Sequence, residues 1–526
     1  MKPIRLIAGF MTVGLWTLAS RVLGFVRDAM ILAYLGTGPA YEAFVVAFRL
    51  PNMFRRFFAE GAFNMAFVPM FSKKYEAGED ARGFAENAFS GLASVLIVLT
   101  LVAHLCMPWL IYGMASGFAG QEQFSLSVEF GRIVFPYILF VSLAALLSGV
   151  LNATGRFAAA AAAPVLLNVI LIAAMMIAAF AGLDTAFTAF SGMDVGTALI
   201  WGIPFAGVAQ LALVWYAARK AGFTLMPRRP RWTPEMQQLV RIAVPAALAG
   251  GVVQVNLLVG QQVASYFDRA VGWLYAADRL YQLPLGVVGI AIGVVLLPDL
   301  SRRLAANDAA GGRNALSRAA EISLALTIPA AVALMVVPLP LVSVLFERGA
   351  TTSDDSAAIA MAVAVYGLGL PAFVVQKILQ PLYFAREDTR SPFRYAVVAM
   401  VVNAVLAIGL APVIGWIACA IATTLAAWVM VVLLARGTGP MGEVARFDAR
   451  FHLRIWRIVG ASAAMGLVLW LAMVGMSPFF AMAGWRYLAL LGLILIGMIS
   501  YFGIGQLIGA FRLGEFRRAF QRGGSD

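Results

Sequence analysis

About twelve apolar stretches of roughly twenty residues follow one another along this 526-residue chain. The hydrocarbon core of a bilayer is about 30 Å thick, so each stretch is long enough to cross it as a helix. Mean hydropathy is +0.87 and 12% of the residues are charged, whereas soluble domains contain about 25% charged residues. The patterning excludes an ordinary soluble domain and predicts an all-α polytopic membrane protein.

Two more stretches, near residues 6–35 and 41–72, have the length of a span but carry several charges. Loop charge argues for counting them, because short cytoplasmic loops are enriched in Lys and Arg. With both counted, every basic loop cluster follows an even-numbered span. The 39 basic residues then divide into 28 on one side, 4 on the other and 7 within spans. We therefore predict about fourteen spans with both termini cytoplasmic, and the net charge of +13 does not indicate a nucleic-acid partner.

An internal duplication organises these spans. Residues 49–80 resemble residues 279–308, since both begin Arg-Leu and run to a Pro-x-(Phe/Leu)-Ser followed by two basic residues. Three further residues recur 235 positions later: Pro136 and Pro371, Thr154 and Thr389, and Asn168 and Asn403. Because each copy has an even number of spans, the two copies have the same orientation, as in transporters built from parallel repeats.

The repeat predicts two six-helix lobes followed by two C-terminal helices. Transporters of this kind keep their substrate site between the two halves. The predicted parts are an N-lobe (1–220), a cytoplasmic linker (221–238), a C-lobe (239–437), spans 13 and 14 (438–510) and a basic cytoplasmic tail (511–526).

Charges inside the predicted spans are the candidate functional residues. The basic ones are Arg21, Arg27, Arg49, Arg55, Arg56, Arg279 and Lys377, and the acidic ones near them are Asp28, Glu42, Glu60 and Asp278. Each Arg costs roughly 2.5 to 3.5 kcal/mol at the centre of a membrane helix, so such residues are functional candidates. Glu42, Arg49 and Arg56 recur every seven residues, which predicts an approximate stripe on a helix kinked by Pro51.

Two interpretations of these charges remain open. Salt bridges that fix helix packing would account for Arg49, Arg56 and Glu60, since Arg56 and Glu60 are spaced i, i+4. The excess of Arg over acidic residues instead predicts an anionic, phosphorylated ligand, because guanidinium binds phosphate oxygens bidentately and stays charged.

The sequence lacks the common catalytic and phosphate-binding motifs. It contains no GxxxxGK(S/T) phosphate loop, no HExxH and no nucleophile motif. Its two cysteines, Cys106 and Cys419, lie in apolar runs, and His104 and His452 are far apart, so neither a disulfide framework nor a zinc site is expected. We predict a protein that is not an enzyme and that uses no cofactor or metal.

Three segments give the chain a recognisable resemblance. It resembles the MurJ/MviN lipid II flippases of the multidrug/oligosaccharidyl-lipid/polysaccharide exporter superfamily through SRVLGFVRD (20–28), EAFVVAFRLPNMFRRFFAEGAFNMAFVP (42–69) and ADRLYQLPLGVVGIAIGVVLLPDLS (277–301). The resemblance covers the whole chain in order. It implies fourteen helices, with spans 13 and 14 bordering a groove for the lipid tail.

The same resemblance implies a central cationic cavity. The substrate-binding residues it assigns are Arg21, Arg27, Arg55 and Arg279, and the supporting side chains are Asp28, Glu42, Asn52 and Asp278. Gln282 departs from the pattern, since some members carry Glu there, and no carboxylate role is carried over to that position. Residues 395–435 contain no Asp or Glu, so sodium coupling through acidic residues on spans 11 and 12, as in some relatives, is not supported.

The expected function is outward movement of lipid II, an undecaprenyl diphosphate-linked sugar-pentapeptide, across the bacterial inner membrane by alternating access. Membrane lipids are expected contacts, and other cell-wall synthesis proteins are candidate partners. Three alternatives remain: a flippase for another polyprenyl-diphosphate-linked sugar, a membrane enzyme acting on lipid-linked intermediates, and a non-transporting scaffold.

Overall fold

The computed structural model describes residues 3–55, 62–181, 195–226, 228–306, 308–482 and 484–511. Helices and the turns between them account for these residues, and none of them forms a strand. Contacts divide the chain into two compact units. Unit 1 comprises Met1–Gly272 and Arg348–Thr351, and unit 2 comprises Trp273–Glu347 and Thr352–Asp526.

Unit 1 contains ten α-helices among its described residues. They are α1 (Pro3–Leu35), α2 (Pro39–Arg55), α3 (Ala62–Glu76), α4 (Ala81–Leu105), α5 (Met107–Met114), α6 (Glu122–Val134), α7 (Tyr137–Ala153), α8 (Ala158–Phe180), α9 (Val195–Lys220) and α10 (Pro234–Ala264). Helix α8 packs against both α1 and α9, α2 packs against α6, and α10 packs against α3. Pro51 lies within α2 and does not end it.

Unit 2 is built from the remaining helices. They are α11 (Ala270–Ala305), α12 (Ala309–Val336), α13 (Pro338–Phe346), α14 (Ser353–Phe384), α15 (Arg390–Ile414), α16 (Ala418–Gly437), α17 (Ala449–Gly475), α18 (Ser477–Ala481) and α19 (Trp485–Leu507). Helix α11 begins three residues before the unit boundary. Helix α12 packs against α14 and α17, and α17 in turn packs against α19.

Polar side chains cap several of these helices. The Asp80 carboxylate accepts the Gly83 N–H at the start of α4, and the Asp448 carboxylate accepts the Phe451 N–H at the start of α17. Thr352 and Asp355 form a reciprocal capping box at the start of α14. These caps supply acceptors for N–H groups that have no partner within the helix, and so fix where the helices begin.

Nine helical stretches of the described chain are long and apolar enough to cross a membrane. One of them, Arg390–Gly437, contains both α15 and α16. The helices extend beyond several predicted spans into polar sequence, as α17 does by starting at Ala449 where the apolar stretch begins near residue 458. The prediction of an all-helical polytopic membrane protein is confirmed.

Two apolar stretches predicted as single spans are divided. The stretch near 89–112 is split at Cys106 between α4 and α5, and the stretch near 319–346 is split at Val337 between α12 and α13. Pro108 and Pro338 lie in the first turn of the second helix in each case. Proline lacks the N–H that would continue the preceding helix, and its fixed φ suits a helix start.

The two units divide within α11, between Gly272 and Trp273. The predicted lobes and linker stay predictions. Helix α10, which the repeat groups with later spans, belongs to unit 1. Residues 348–351 also belong to unit 1, where the Ala350 N–H donates to the Ala33 carbonyl at 2.9 Å. Gly349 has φ +61°, and a Cβ there would lie 2.1 Å from the Ala33 carbonyl oxygen, so this approach requires glycine.

Candidate functional site

Arg27 lies at the centre of a buried polar cluster in unit 1. Its Nε and Nη2 donate to Oδ1 of Asp28 at 2.9 and 2.6 Å, and its Nη1 donates to Oδ1 of Asn168 at 2.8 Å. The Arg27 and Asp28 side chains are 9% and 7% exposed. The guanidinium therefore has a carboxylate and an amide acceptor, which offset the cost of burying its charge.

Asn168 connects this cluster to the helix packing. It lies on α8, and its Nδ2 donates to the Ser20 carbonyl of α1 at 2.9 Å. The Arg27 guanidinium also lies 6.0 Å from the Phe48 ring centroid of α2. Arg27 is thus fixed against helices α2 and α8, and the cluster ties α1 to α8.

The other site residues of α1 and α2 are more accessible. Arg21 is exposed and lies six residues before Arg27, about 9 Å along the helix. Arg55, in the last turn of α2, is half-buried. Asn52 Nδ2 donates to the Phe48 carbonyl at 2.9 Å, so its amide is used within its own helix.

Glu42 is fully buried at the start of α2 and contacts the first turn of α11. Its Oε1 accepts the Val271 N–H at 3.1 Å, and Gln123 Nε2 approaches Oε2 at 3.5 Å. A carboxylate at a helix N-terminus is favourable, because it accepts N–H groups that lack a helical partner. The structure therefore gives Glu42 a capping contact in addition to its predicted role as a supporting charge.

In unit 2, Arg279 lies against an aromatic ring. The guanidinium carbon is 4.3 Å from the ring centroid of Tyr275, one turn earlier on α11, which is the geometry of a cation–π contact. Asp278 accepts a hydrogen bond from the Gln282 amide. Gln282, noted above as a departure from the family pattern, thus serves Asp278 as a neutral donor.

The remaining intramembrane charges are distributed as follows. Arg49 is half-buried on α2, and Lys377 is exposed on α14. Arg56 and Glu60 lie outside the described residues, so the predicted Arg56–Glu60 pair and the seven-residue stripe stay predictions.

Asn168 is a contact residue that the charge analysis did not select. Its recurrence as Asn403 was the one sequence signal for it.

The family comparison identifies the chain. The model of the family described as lipid II flippase MurJ matches residues 31–494. The chain belongs to the MurJ lipid II flippase family. Members of this family are transporters rather than enzymes, and the resemblance seen in the sequence is confirmed.

Individual relatives agree over the full length. The chain is 45% identical over 527 residues to a probable lipid II flippase MurJ of Rhizobium meliloti (strain 1021), covering 99% of this chain and 97% of the relative. It is 32% identical to the lipid II flippase MurJ of Burkholderia cenocepacia, covering 98% of this chain and 99% of the relative.

Solved structures support the fold. A structure described as lipid II flippase MurJ in an inward closed conformation is similar with a TM-score of 0.77 at 24% identity, covering 94% of this chain and 98% of that one. An inward-facing multidrug resistance MATE transporter of the MOP superfamily is similar with a TM-score of 0.61 at 13% identity, covering 86% and 98%. The chain therefore has a MurJ/MATE-like fold.

Proposed function

We propose that this protein moves lipid II from the cytoplasmic to the outer leaflet of the bacterial inner membrane. The observation that carries the proposal is the 45% identity, over nearly the whole of both chains, to a relative described as a probable lipid II flippase. The buried charges Arg27 and Asp28 of α1 and the half-buried charges Asp278 and Arg279 of α11 support it, because they belong to the segments that carry the family resemblance.

Guanidinium groups are the proposed contacts for the diphosphate of the head group. The proposed residues are Arg21, Arg27, Arg55 and Arg279. Bidentate hydrogen bonds from Arg to phosphate oxygens are about twice as strong as neutral ones. Asp28 and Asn168 hold Arg27 in one orientation, and Tyr275 does the same for Arg279, so these two need little reordering to receive an anion.

The lipid tail is proposed to lie along α17 and α19. Both helices carry large apolar side chains that are more than half exposed, and in a membrane protein such a surface faces acyl chains. On α17 they include Leu467 and Leu471, and on α19 they include Leu488 and Ile499.

The proposed topology has fourteen crossings with both termini in the cytoplasm. The nine membrane-length stretches give ten crossings, because Arg390–Gly437 contains two helices. The remaining four are α1, the segment from α2 to α3, α10 and α11. Helices α10 and α11 have 31 and 36 residues, about 46 and 54 Å, which exceeds the bilayer core.

The proposed mechanism is alternating access without ATP hydrolysis. An anionic head group that moves outward across an inside-negative membrane gains about 2.3 kcal/mol per charge per 100 mV, provided that the arginines stay behind. The membrane potential could therefore bias each cycle toward the outer leaflet.

Transport in cells tests the function. Cells depleted of their own flippase would receive this protein, and lipid II at the outer face would be measured. We expect export with the unaltered protein and at least a tenfold loss with Arg279→Ala at equal protein level, as expected for one charge-assisted contact. Arg302→Ala, an exposed residue of the same helix, is the matched control. Absence of export by the unaltered protein would refute the function, and export of another lipid-linked sugar would change the substrate.

A further inference from the structure

The segment between α9 and α10 is attached to α4 by reciprocal hydrogen bonds. Asn87 of α4 accepts the Arg231 N–H at 2.7 Å and donates to the Arg231 carbonyl at 2.8 Å. Ser90, one turn along, accepts the Arg228 N–H at 2.9 Å. Side chains of α4 thus bind the backbone of the linker through three hydrogen bonds.

Glu86 supplies the charged contact of the same attachment. Its carboxylate is 2% exposed and accepts from Arg82 Nε at 3.1 Å and from Arg228 Nε at 3.1 Å. Arg82 is on α4, whereas Arg228 is in the linker. Arg82 Nη2 also donates to the Thr224 carbonyl at 2.9 Å, which adds a third attachment point.

Apolar contacts continue on both sides of these hydrogen bonds. The Phe223 ring packs edge-on against Phe71 of α3, with centroids 5.8 Å apart. Leu225 is 2% exposed. At the other end, a Cβ on Gly91 would lie 3.3 Å from the terminal methyl of Met236, in the first turn of α10, so that α4 and α10 meet closely there.

We infer that residues 223–226 and 228–236 form a strap that stays docked on α3 and α4 during transport, with Glu86 as the positioning residue that fixes the start of α10. The linker is then part of unit 1 and not a free connection between halves. This inference goes beyond the flippase function, since it assigns a role to residues outside the arginine site.

Burial of Glu86 is the physical reason for permanent docking. If the strap left, the carboxylate would lose Arg228 and keep one partner, Arg82, whose side chain is 52% exposed. Asn87 and Ser90 would lose their linker partners in the same step. The Arg228 side chain is 69% exposed, but Glu86 is buried, so loss of this charge-assisted hydrogen bond leaves a buried carboxylate less well satisfied. A movement that undocks the strap in every cycle would therefore be slow.

Cysteine labelling tests the docking directly. In a background with Cys106→Ala and Cys419→Ala, Leu225→Cys places a thiol beneath the strap, where a water-soluble maleimide should react slowly. Adding Glu86→Gln should raise the labelling rate about tenfold or more, the equivalent of one lost charge-assisted hydrogen bond. Arg229→Ala, an exposed residue of the same strap, should leave the rate unchanged. An equal rate with and without Glu86→Gln would overturn the assignment of Glu86.

A covalent tether between the strap and α4 tests whether the strap stays docked during transport. It also distinguishes a positioning role of the strap from an effect on the stability of the whole protein. Asn87→Cys with Arg231→Cys removes the reciprocal hydrogen bonds and allows a short bifunctional thiol reagent to rejoin the strap to α4. We expect reduced transport before cross-linking and recovery to within about twofold of the parent afterwards, in proportion to the cross-linked fraction on a gel.

Two results of that experiment would overturn the inference. Transport that falls on cross-linking and returns on cleavage would show that the strap must undock. The second result combines two measurements: full transport by the Asn87→Cys, Arg231→Cys variant before cross-linking, and a labelling rate of Leu225→Cys that does not change when Asn87→Ala is added. Together they would show that these hydrogen bonds do not hold the strap on α4. Neither result depends on which lipid is carried.

Discussion

The Arg27–Asp28 pair gives the sharpest stability prediction. Both side chains are under 10% exposed, and two hydrogen bonds of 2.6 and 2.9 Å join them. Removing one partner from a buried ion pair is strongly destabilising and costs about 3 to 5 kcal/mol of the free energy of unfolding. Arg27→Leu and Asp28→Leu should each show this loss.

The double variant decides whether an unpaired buried charge causes the loss of stability in the single variants. With both residues changed to Leu neither charge of the pair is left without the other, so the double variant should be more stable than either single variant. Denaturant titration in detergent micelles, followed by tryptophan fluorescence, measures the three changes in unfolding free energy. Arg302→Leu, which removes a side chain that is 79% exposed and 3.5 Å from Asp299, is the control and should cost about 0 to 1 kcal/mol. Simple additivity of the two single losses would refute the reasoning.

Three further predictions concern coupling and the C-terminal helices. Replacing Na⁺ by K⁺ on both sides of vesicles should leave the lipid II transport rate unchanged, because residues 395–435 contain no carboxylate; a strict Na⁺ requirement would contradict this. Collapsing an inside-negative potential of 100 mV should lower the outward accumulation of lipid II, because up to about 2.3 kcal/mol of driving free energy is lost per charge moved. Unchanged accumulation would show that the membrane potential does not drive transport. Glu321→Gln should lower the unfolding free energy by about 3 kcal/mol, because this buried carboxylate of α12 binds Arg318, Arg450 and Arg454; an unchanged denaturation midpoint in micelles would contradict that role.

The sequence predicted the helices well because length and apolarity dominate in a membrane protein. Spans predicted near 157–181 and 270–298 correspond to α8 and α11. The divisions at Cys106 and Val337 were missed, although Pro108 and Pro338 signalled them, because hydropathy averages over a whole window. The unit boundary was not predicted, because side chains far apart in sequence determine which helices pack together.

The site was predicted in residue type more than in contacts. From the sequence, Arg27 was assigned to an anionic ligand and Asp28 to a supporting role, and the ion pair between them was not predicted. The second acceptor, Asn168, is 141 residues away, and the contact of Glu42 with Val271 spans 229 residues. Such contacts depend on tertiary packing, which periodicity does not encode. Residues 221–238 were predicted only as a cytoplasmic linker, because the burial of Glu86 depends on tertiary packing and could not be read from its sequence neighbours.

Binding of lipid II to the purified protein tests the central claim most directly, namely that the guanidinium groups of Arg21, Arg27, Arg55 and Arg279 hold the diphosphate head group. We predict that Arg21→Ala and Arg279→Ala each weaken binding about tenfold or more, whereas the exposed control Arg302→Ala does not. Equal affinity of all four proteins for lipid II would contradict the account.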